Sequence, residues 1–302
     1  MAIAVEQREV VIPATKTASR HLRRGAGRVL IYAALIFWSF VCLFPIFWTV
    51  STSFKVATDI YQRHVIPWVQ FEPSRKGWDS ILQPGQRENF LKHARNTVVI
   101  SLSAAALATA IGSLAAYGLT RFSYKFGPWR NRDISFWFLS QLILPPVALA
   151  MPLLVLYREL ALYDTRIGLI WVYSIMNLPI VIWIMRDQFN SIPLELEQAA
   201  LVDGATTWQA FFRIVVPVAG PGFVAAFILS LILAWNEYLL ALVLTATKSV
   251  TLPFLIAGQT SSQGIRWWSM AALSTAAIAP LAIIGILLER FIVKGLTAGA
   301  VK

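Results

Sequence analysis

PLELEQAALVDGATTWQAFFRIVVP, residues 193–217, is a polar, capped interlude between two long apolar segments. Pro193 needs no backbone donor in a first helical turn, and Glu195 and Glu197 follow where a helix N-terminus favours negative charge, so a short helix is expected to start there. Asp203-Gly204 stops it. Thr206 with Gln209 three residues later has capping-box spacing, which predicts a second helix at once. Trp208, Phe211, Phe212 and Val215 then fall at i, i+3, i+4 and i+7 on one face, and Pro217 is expected to end the helix. An amphipathic pair of this kind between membrane spans suits either a place on the lipid surface or docking on a partner.

The flanks decide that the setting is a membrane. Hydrophobic residues make up 57% of the chain and charged ones only 14%, and the apolar residues come in uninterrupted runs long enough to cross a bilayer. The formal charge of +11 is spread mostly between those runs, so it reads as a topology signal and gives no support to nucleic-acid binding. A single cysteine, Cys42, excludes an intrachain disulfide and a Cys-based metal site; it is expected to be a small core residue. His21, His64 and His93 stand far apart, match no metal-binding spacing and are expected at surfaces or interfaces.

Residues 1–28 are polar and Arg-rich, and the run that follows is too long for a signal-peptide core, so the first span is expected to be retained. Arg20, Arg23, Arg24 and Arg28 place the N-terminus in the cytoplasm. Spans are expected at about 29–51, 97–119, 134–156, 168–184, 223–244 and 270–291. The stretch 53–95, with Trp68, Pro73, Trp78 and Gly85, reads as an outside loop. The second span is rich in Ala, Ser and Gly, which suits close helix packing, and Arg121, Lys125, Arg130 and Arg132 after it are a dense positive-inside signal. Pro145-Pro146 should kink or unwind the third span, and the fourth carries Asn177 and Pro179 at its middle. Gln141 and Asn177 suit a water-filled path or, equally, interhelical hydrogen bonds. Trp235, Asn236, Glu237 and Tyr238 fall in the outer half of the fifth span, where an ionisable Glu237 needs a cavity or a partner. The expected fold is an all-α integral membrane protein of six transmembrane helices with both termini cytoplasmic: segment 1–28, a membrane domain 29–294 containing the loop 187–218, and a tail 295–302.

Catalytic machinery is not legible in this chain. No Gly is followed by Lys, so the phosphate-binding loop Gly-x-x-x-x-Gly-Lys-Ser/Thr is missing, and an ATP-driven process needs another chain to hydrolyse the nucleotide. No paired acid and base or nucleophile constellation stands at recognisable spacing, which weighs against an intramembrane enzyme built on Glu237. A transporter driven by an ion gradient through Glu237 remains as the other alternative.

The order Gln198-Ala199-Ala200, Gly204, Ile214 and Val216-Pro217 resembles the cytoplasmic signature loop of ABC importer permeases, Glu-Ala-Ala, then Gly, then Ile-x-Leu-Pro. Gln198 replaces the first Glu, with Glu197 beside it, and Val216 replaces the Leu. Ala200 to Thr206, the triplet Trp235-Asn236-Glu237 and the tail Gly295 to Lys302 resemble the carbohydrate branch of maltose type. The resemblance implies a non-catalytic subunit in a bacterial inner membrane, paired with a second permease, two ATP-binding subunits that carry ATP and Mg, and an extracytoplasmic solute-binding protein. It implies ATPase coupling through Glu197, Gln198, Ala199, Ala200, Asp203, Gly204, Ile214 and Pro217, with Glu197 and Asp203 pairing with basic residues of the ATPase or capping local donors. Candidate path residues are Gln141, Asn177, Asn236, Glu237 and Tyr238. No cofactor or metal is expected on this chain. The tail resembles a segment that reaches between the ATPase subunits.

Overall fold

The computed structural model describes residues 15–261 and 264–297. In chain order these are α1 (Thr15–Thr52), α2 (Ala57–Tyr61), α3 (Asp79–Leu82), α4 (Gln86–Arg121), a hairpin of β1 (Lys125–Phe126) and β2 (Trp129–Arg130), and α5 (Asn131–Ser140) with a 3-10 turn at Gln141–Ile143. Then follow α6 (Pro146–Glu159), α7 (Arg166–Asn190), α8 (Leu194–Val202), α9 (Thr207–Ala210), a π turn at Phe211–Val215, α10 (Val216–Val218) and α11 (Gly220–Asn236). The described chain ends with α12 (Leu239–Leu244), α13 (Leu252–Ala257), a second hairpin of β3 (Thr260–Ser261) and β4 (Gly264–Ile265), and α14 (Trp267–Thr297). Residues 1–14 of the N-terminal segment and 298–302 of the tail lie outside the described residues.

Among the described residues, four helical stretches are long and apolar enough to cross a membrane: Arg28–Thr52, Gln86–Arg121, Arg166–Asn190 and Trp267–Leu288. Counting each of two bent pairs as one span raises the number to six. The bent pairs are Asn131–Ile143 with Pro146–Glu159, at 92°, and Thr207–Val218 with Gly220–Asn236, at 76°.

The centre of the bundle is α4 against α7, with α11 laid on both. Ile100, Ala104, Ala108, Gly112 and Ala116 recur every fourth residue of α4, and the small ones let the backbones approach closely. A Cβ added at Gly112 would stand 2.6 Å from Cγ1 of Val181. One apolar cluster joins Ala108 and Ala116 to Val181, Met185, Phe189, Phe211 and Ala226; another joins Ile100 and Ala104 to Leu169, Val172 and Tyr173.

Two sequence expectations are corrected at boundaries, and a third, the disturbance at Pro145-Pro146, is met by a full break. The helix that contains the second expected span begins at Gln86, earlier than the span's expected start near Thr97, because Gly85 with φ +79° forms the turn and His93 and Asn96 pack inward to continue the helix. The third span is broken outright: Leu144 and Pro145 are both extended, as the residue before a proline prefers, and the helix restarts at a right angle. The fifth span stops at Asn236, with Glu237 extended, and α12 is a separate piece.

Two residue placements also differ. His93 is buried, its ring nitrogen 2.6 Å from the Asn89 carbonyl. Cys42 is exposed on α1, whose apolar side chains from Val29 to Phe47 lie outside the chain's own core. Among the described residues, α1 packs mainly on α14 and leaves most of its surface to lipid or a neighbour.

Candidate functional site

The loop 193–217 folds as its capping signals dictate at the start. Pro193 takes the N-cap position of α8, and Gly204, at φ +87°, reverses the chain after Asp203 in a conformation that costs other L-residues. Thr206 and Gln209 form the reciprocal capping box, the Thr206 hydroxyl accepting from the Gln209 backbone N–H at 3.3 Å and the side-chain Oε1 of Gln209 from the Thr206 N–H at 2.8 Å. Pro217 does not end the second helix. It lies inside a continuation to Val218, and the chain bends at Ala219, just before Gly220-Pro221.

The aromatic stripe divides into two edges. Phe211 and Val215 are buried in the core, whereas Trp208 and Phe212 stand 62% and 60% exposed and stack on each other at 5.9 Å with ring planes 19° apart. The stripe is wider than the contact the bundle offers, and only its inner edge meets the core.

α8 presents two faces of different character. Gln198, Ala199 and Asp203 are exposed, with Val202 at 87%, while Glu197 and Ala200 turn inward. Glu197 is 5% exposed, and its carboxylate accepts from Tyr117 Oη at 2.8 Å and from Arg121 Nε at 2.6 Å. Arg121 also donates through Nη2 to the Ile192 carbonyl at 3.1 Å. The charge partner of Glu197 is therefore the last turn of α4 in this same chain. Asp203 terminates α8 by donating its N–H to the Ala199 carbonyl. Ile214 is half-buried in the π turn and Pro217 is exposed.

The breaks in α5–α6 and α11–α12 face each other across α7 and leave a cavity of about 450 Å³. Its wall brings together Gln141, Asn177 and Glu237 with the aromatic rings of Trp137, Phe138 and Tyr173. Asn177 is buried and donates to the Ser230 carbonyl at 3.2 Å, so it both lines the cavity and ties α7 to α11. Glu237 Oε1 accepts from the Leu240 N–H at 2.8 Å and caps α12, and its backbone carbonyl accepts from the Tyr173 hydroxyl at 3.4 Å. Asn236 and Tyr238 are not part of this wall. Asn236 is exposed and donates to the Ile232 carbonyl of its own helix, and Tyr238 is exposed at the break.

Sequence reasoning missed Tyr117, Arg121 and the aromatic lining. Arg121 carried a signal only as one of a basic cluster, and Tyr117, four residues before it on the same helix face, carried none that pointed across to residue 197.

Broken helices around a polar and aromatic cavity, with a capped loop beside them, are features found in membrane transport proteins. The chain belongs to the family described as binding-protein-dependent transport system inner membrane component, which matches residues 90–297, and its relatives are ABC transporter permeases. It is 36% identical over 263 residues to the trehalose transport system permease protein SugB of Mycobacterium tuberculosis, covering 86% of this chain and 92% of that protein. It is 32% identical over 281 residues to the inner membrane ABC transporter permease protein YcjP of Escherichia coli, covering 93% and 98%. The trehalose/maltose transport system permease protein MalG of Thermococcus litoralis is 28% identical over 277 residues, with 91% and 97% covered. A solved bacterial ABC transporter involved in import of the acidic polysaccharide alginate contains a chain of the same fold, with TM-score 0.67 and 20% identity over 92% of this chain and 99% of that one.

Proposed function

We propose that this chain is one of the two permease subunits of an ATP-driven importer in a bacterial inner membrane, carrying an oligosaccharide, monosaccharide or polyol. The observation that carries the reading is the outward face of the loop. Gln198, Ala199, Val202, Asp203, Trp208 and Phe212 are exposed on a compact, doubly capped unit whose inner face is already satisfied by its own chain. A rigid protrusion with an unpartnered apolar rim suits a cleft in a separate ATPase subunit, with Gly204 permitting the turn and Ala199 a close fit. Two such ATPase subunits, binding ATP and Mg, close on each other and rock the membrane helices; this chain then performs no catalysis.

The cavity supplies the path. Amide and carboxylate groups beside the faces of Trp137, Phe138 and Tyr173 are what a ring bearing many hydroxyls requires. A solute-binding protein delivers the sugar at the end of the bundle opposite the loop, and both termini lie in the cytoplasm with the loop. In support, one of the solved alginate transporters was captured with an alginate pentasaccharide-bound periplasmic protein. Ion coupling or catalysis through Glu237 is disfavoured because its carboxylate is already engaged in holding the start of α12.

Affinity purification of this chain from its native membrane, with identification of what accompanies it and an ATPase assay, tests the reading. An ATP-binding subunit and a second permease in the same complex are expected. A chain that purifies alone and transports alone would overturn it.

A further inference from the structure

We infer that Glu197 is a positioning residue that locks the coupling loop to α4, so that movement of the loop is delivered to α4 and not only to its sequence neighbours. This rests on the reading of the loop as the ATPase-docking element.

Chain connectivity alone would send the loop's motion into α7, which precedes it, and α11, which follows. The side chains say otherwise. Glu197 is the buried charge of α8, and both of its hydrogen-bond partners, Tyr117 Oη at 2.8 Å and Arg121 Nε at 2.6 Å, belong to the final turns of α4. Arg121 reaches also to the Ile192 carbonyl at 3.1 Å, so one guanidinium holds both α8 and the segment that leads into it. Tyr117 is fixed in turn by rings on three sides: Phe211 at 4.5 Å, Phe189 at 5.7 Å and Phe122 at 6.2 Å between centroids. Pulling α8 away from α4 would break a buried ion pair and the two further hydrogen bonds that hold its members, which costs more than moving the two elements together.

α4 is also the element best built to carry such a displacement. Its 36 residues contain no proline and span about 54 Å at 1.5 Å per residue. By contrast α5–α6 is broken at Pro145, α11–α12 at Glu237, and α7 contains Pro179. Near its other end α4 holds a second joint. Asn96, fully buried, donates to the Lys248 and Val250 carbonyls at 2.9 and 2.8 Å and accepts from Arg166 Nε at 2.8 Å. One unbroken helix thus connects the loop to the turn between α12 and α13 at the opposite end of the bundle.

The test uses the complete transporter reconstituted in proteoliposomes with its ATPase and solute-binding protein, reading sugar taken up per ATP hydrolysed. Glu197→Gln should copurify with the ATPase as the unaltered chain does, yet lower uptake per ATP by about tenfold. Tyr117→Phe, which keeps the ring against Phe211 and removes one donor, should lower it by about threefold and gives the same test if Glu197→Gln does not insert. The exchanged pair Glu197→Arg with Arg121→Glu should recover part of the loss. Unchanged uptake per ATP in both single variants overturns the inference, and so does a loss matched by lost ATPase copurification, since that marks a docking role alone. If the unaltered chain brings down no ATPase, the functional reading itself has failed, and that is known before any variant is compared.

Discussion

Asp164 and Ser249 meet twice: Oδ1 of the carboxylate accepts from the Ser249 N–H at 3.1 Å and from its hydroxyl at 3.1 Å. The same carboxylate takes the N–H groups of Ala246, Thr247 and Lys248, so a residue held at φ +54° between α6 and α7 gathers the whole turn after α12. Burial pushes this carboxyl up, but the converging backbone N–H donors outweigh it and hold it well below the usual carboxylate range. A depressed folded value means stability that is fully present above about pH 4 and is lost as pH falls from there through the folded value. Asp164→Asn replaces an acceptor oxygen by a donor facing donors, and amide hydrogen exchange at residues 246–249 is expected to accelerate by about tenfold. Unchanged protection would show that the turn does not depend on the carboxylate.

At Gly112 the argument is steric. With a Cβ already 2.6 Å from Val181 Cγ1, Gly112→Leu must force α4 and α7 apart, and a loss of about 1–3 kcal/mol is expected, seen as a lower melting temperature of the detergent-purified chain. Gly285→Leu, where an added Cβ meets nothing within 4 Å, should leave the melting temperature close to that of the unaltered chain.

Gly204 differs in kind. Nothing in the chain lies within 4 Å of an added Cβ, so the cost of Gly204→Asp comes from its φ of +87°, roughly 1–2 kcal/mol, and from what the exposed turn must fit. Normal insertion with reduced ATPase copurification is expected; full copurification would remove Gly204 from the docking surface.

For Glu237 the side-chain oxygen matters more than its charge, because it accepts the Leu240 N–H. Glu237→Gln should keep most uptake, while Glu237→Ala should lose the cap at a cost of about 1 kcal/mol and lower uptake more than assembly. Equal loss in both variants, measured by uptake in proteoliposomes, would point to the charge instead.

Topology is testable at Ser191, an exposed residue that closes α7 just before the loop. In a Cys42→Ala background, needed because Cys42 is exposed, a cysteine at 191 should react with a membrane-impermeant maleimide only from the cytoplasmic side. Labelling from outside would reverse the orientation.

What was legible in the sequence followed from local rules. The membrane class came from runs of apolar residues, the loop from Pro193, Gly204 and the Thr206–Gln209 box, and close packing of α4 from its small residues, because each signal is carried by neighbours in the chain. Pro145-Pro146 announced a disturbance, though not that it would reach 92°.

Partner choice was not legible. Glu197 beside a signature motif looks outward-facing when read in a line, and Arg121 looks like a topology charge, yet the two are joined at 2.6 Å across 76 residues. Likewise Gln141, Asn177 and Glu237 share one cavity while Asn236 and Tyr238, adjacent to Glu237 in sequence, stay out of its wall. The sequence by itself determined the membrane-spanning class, the capped loop and the family order of its residues, since propensity, capping and hydrophobic run length act over a few residues. Only the tertiary structure decided where the helices break, which edge of the aromatic stripe is buried and which helix holds the loop, since those depend on how buried charges and rings find partners far away in the chain.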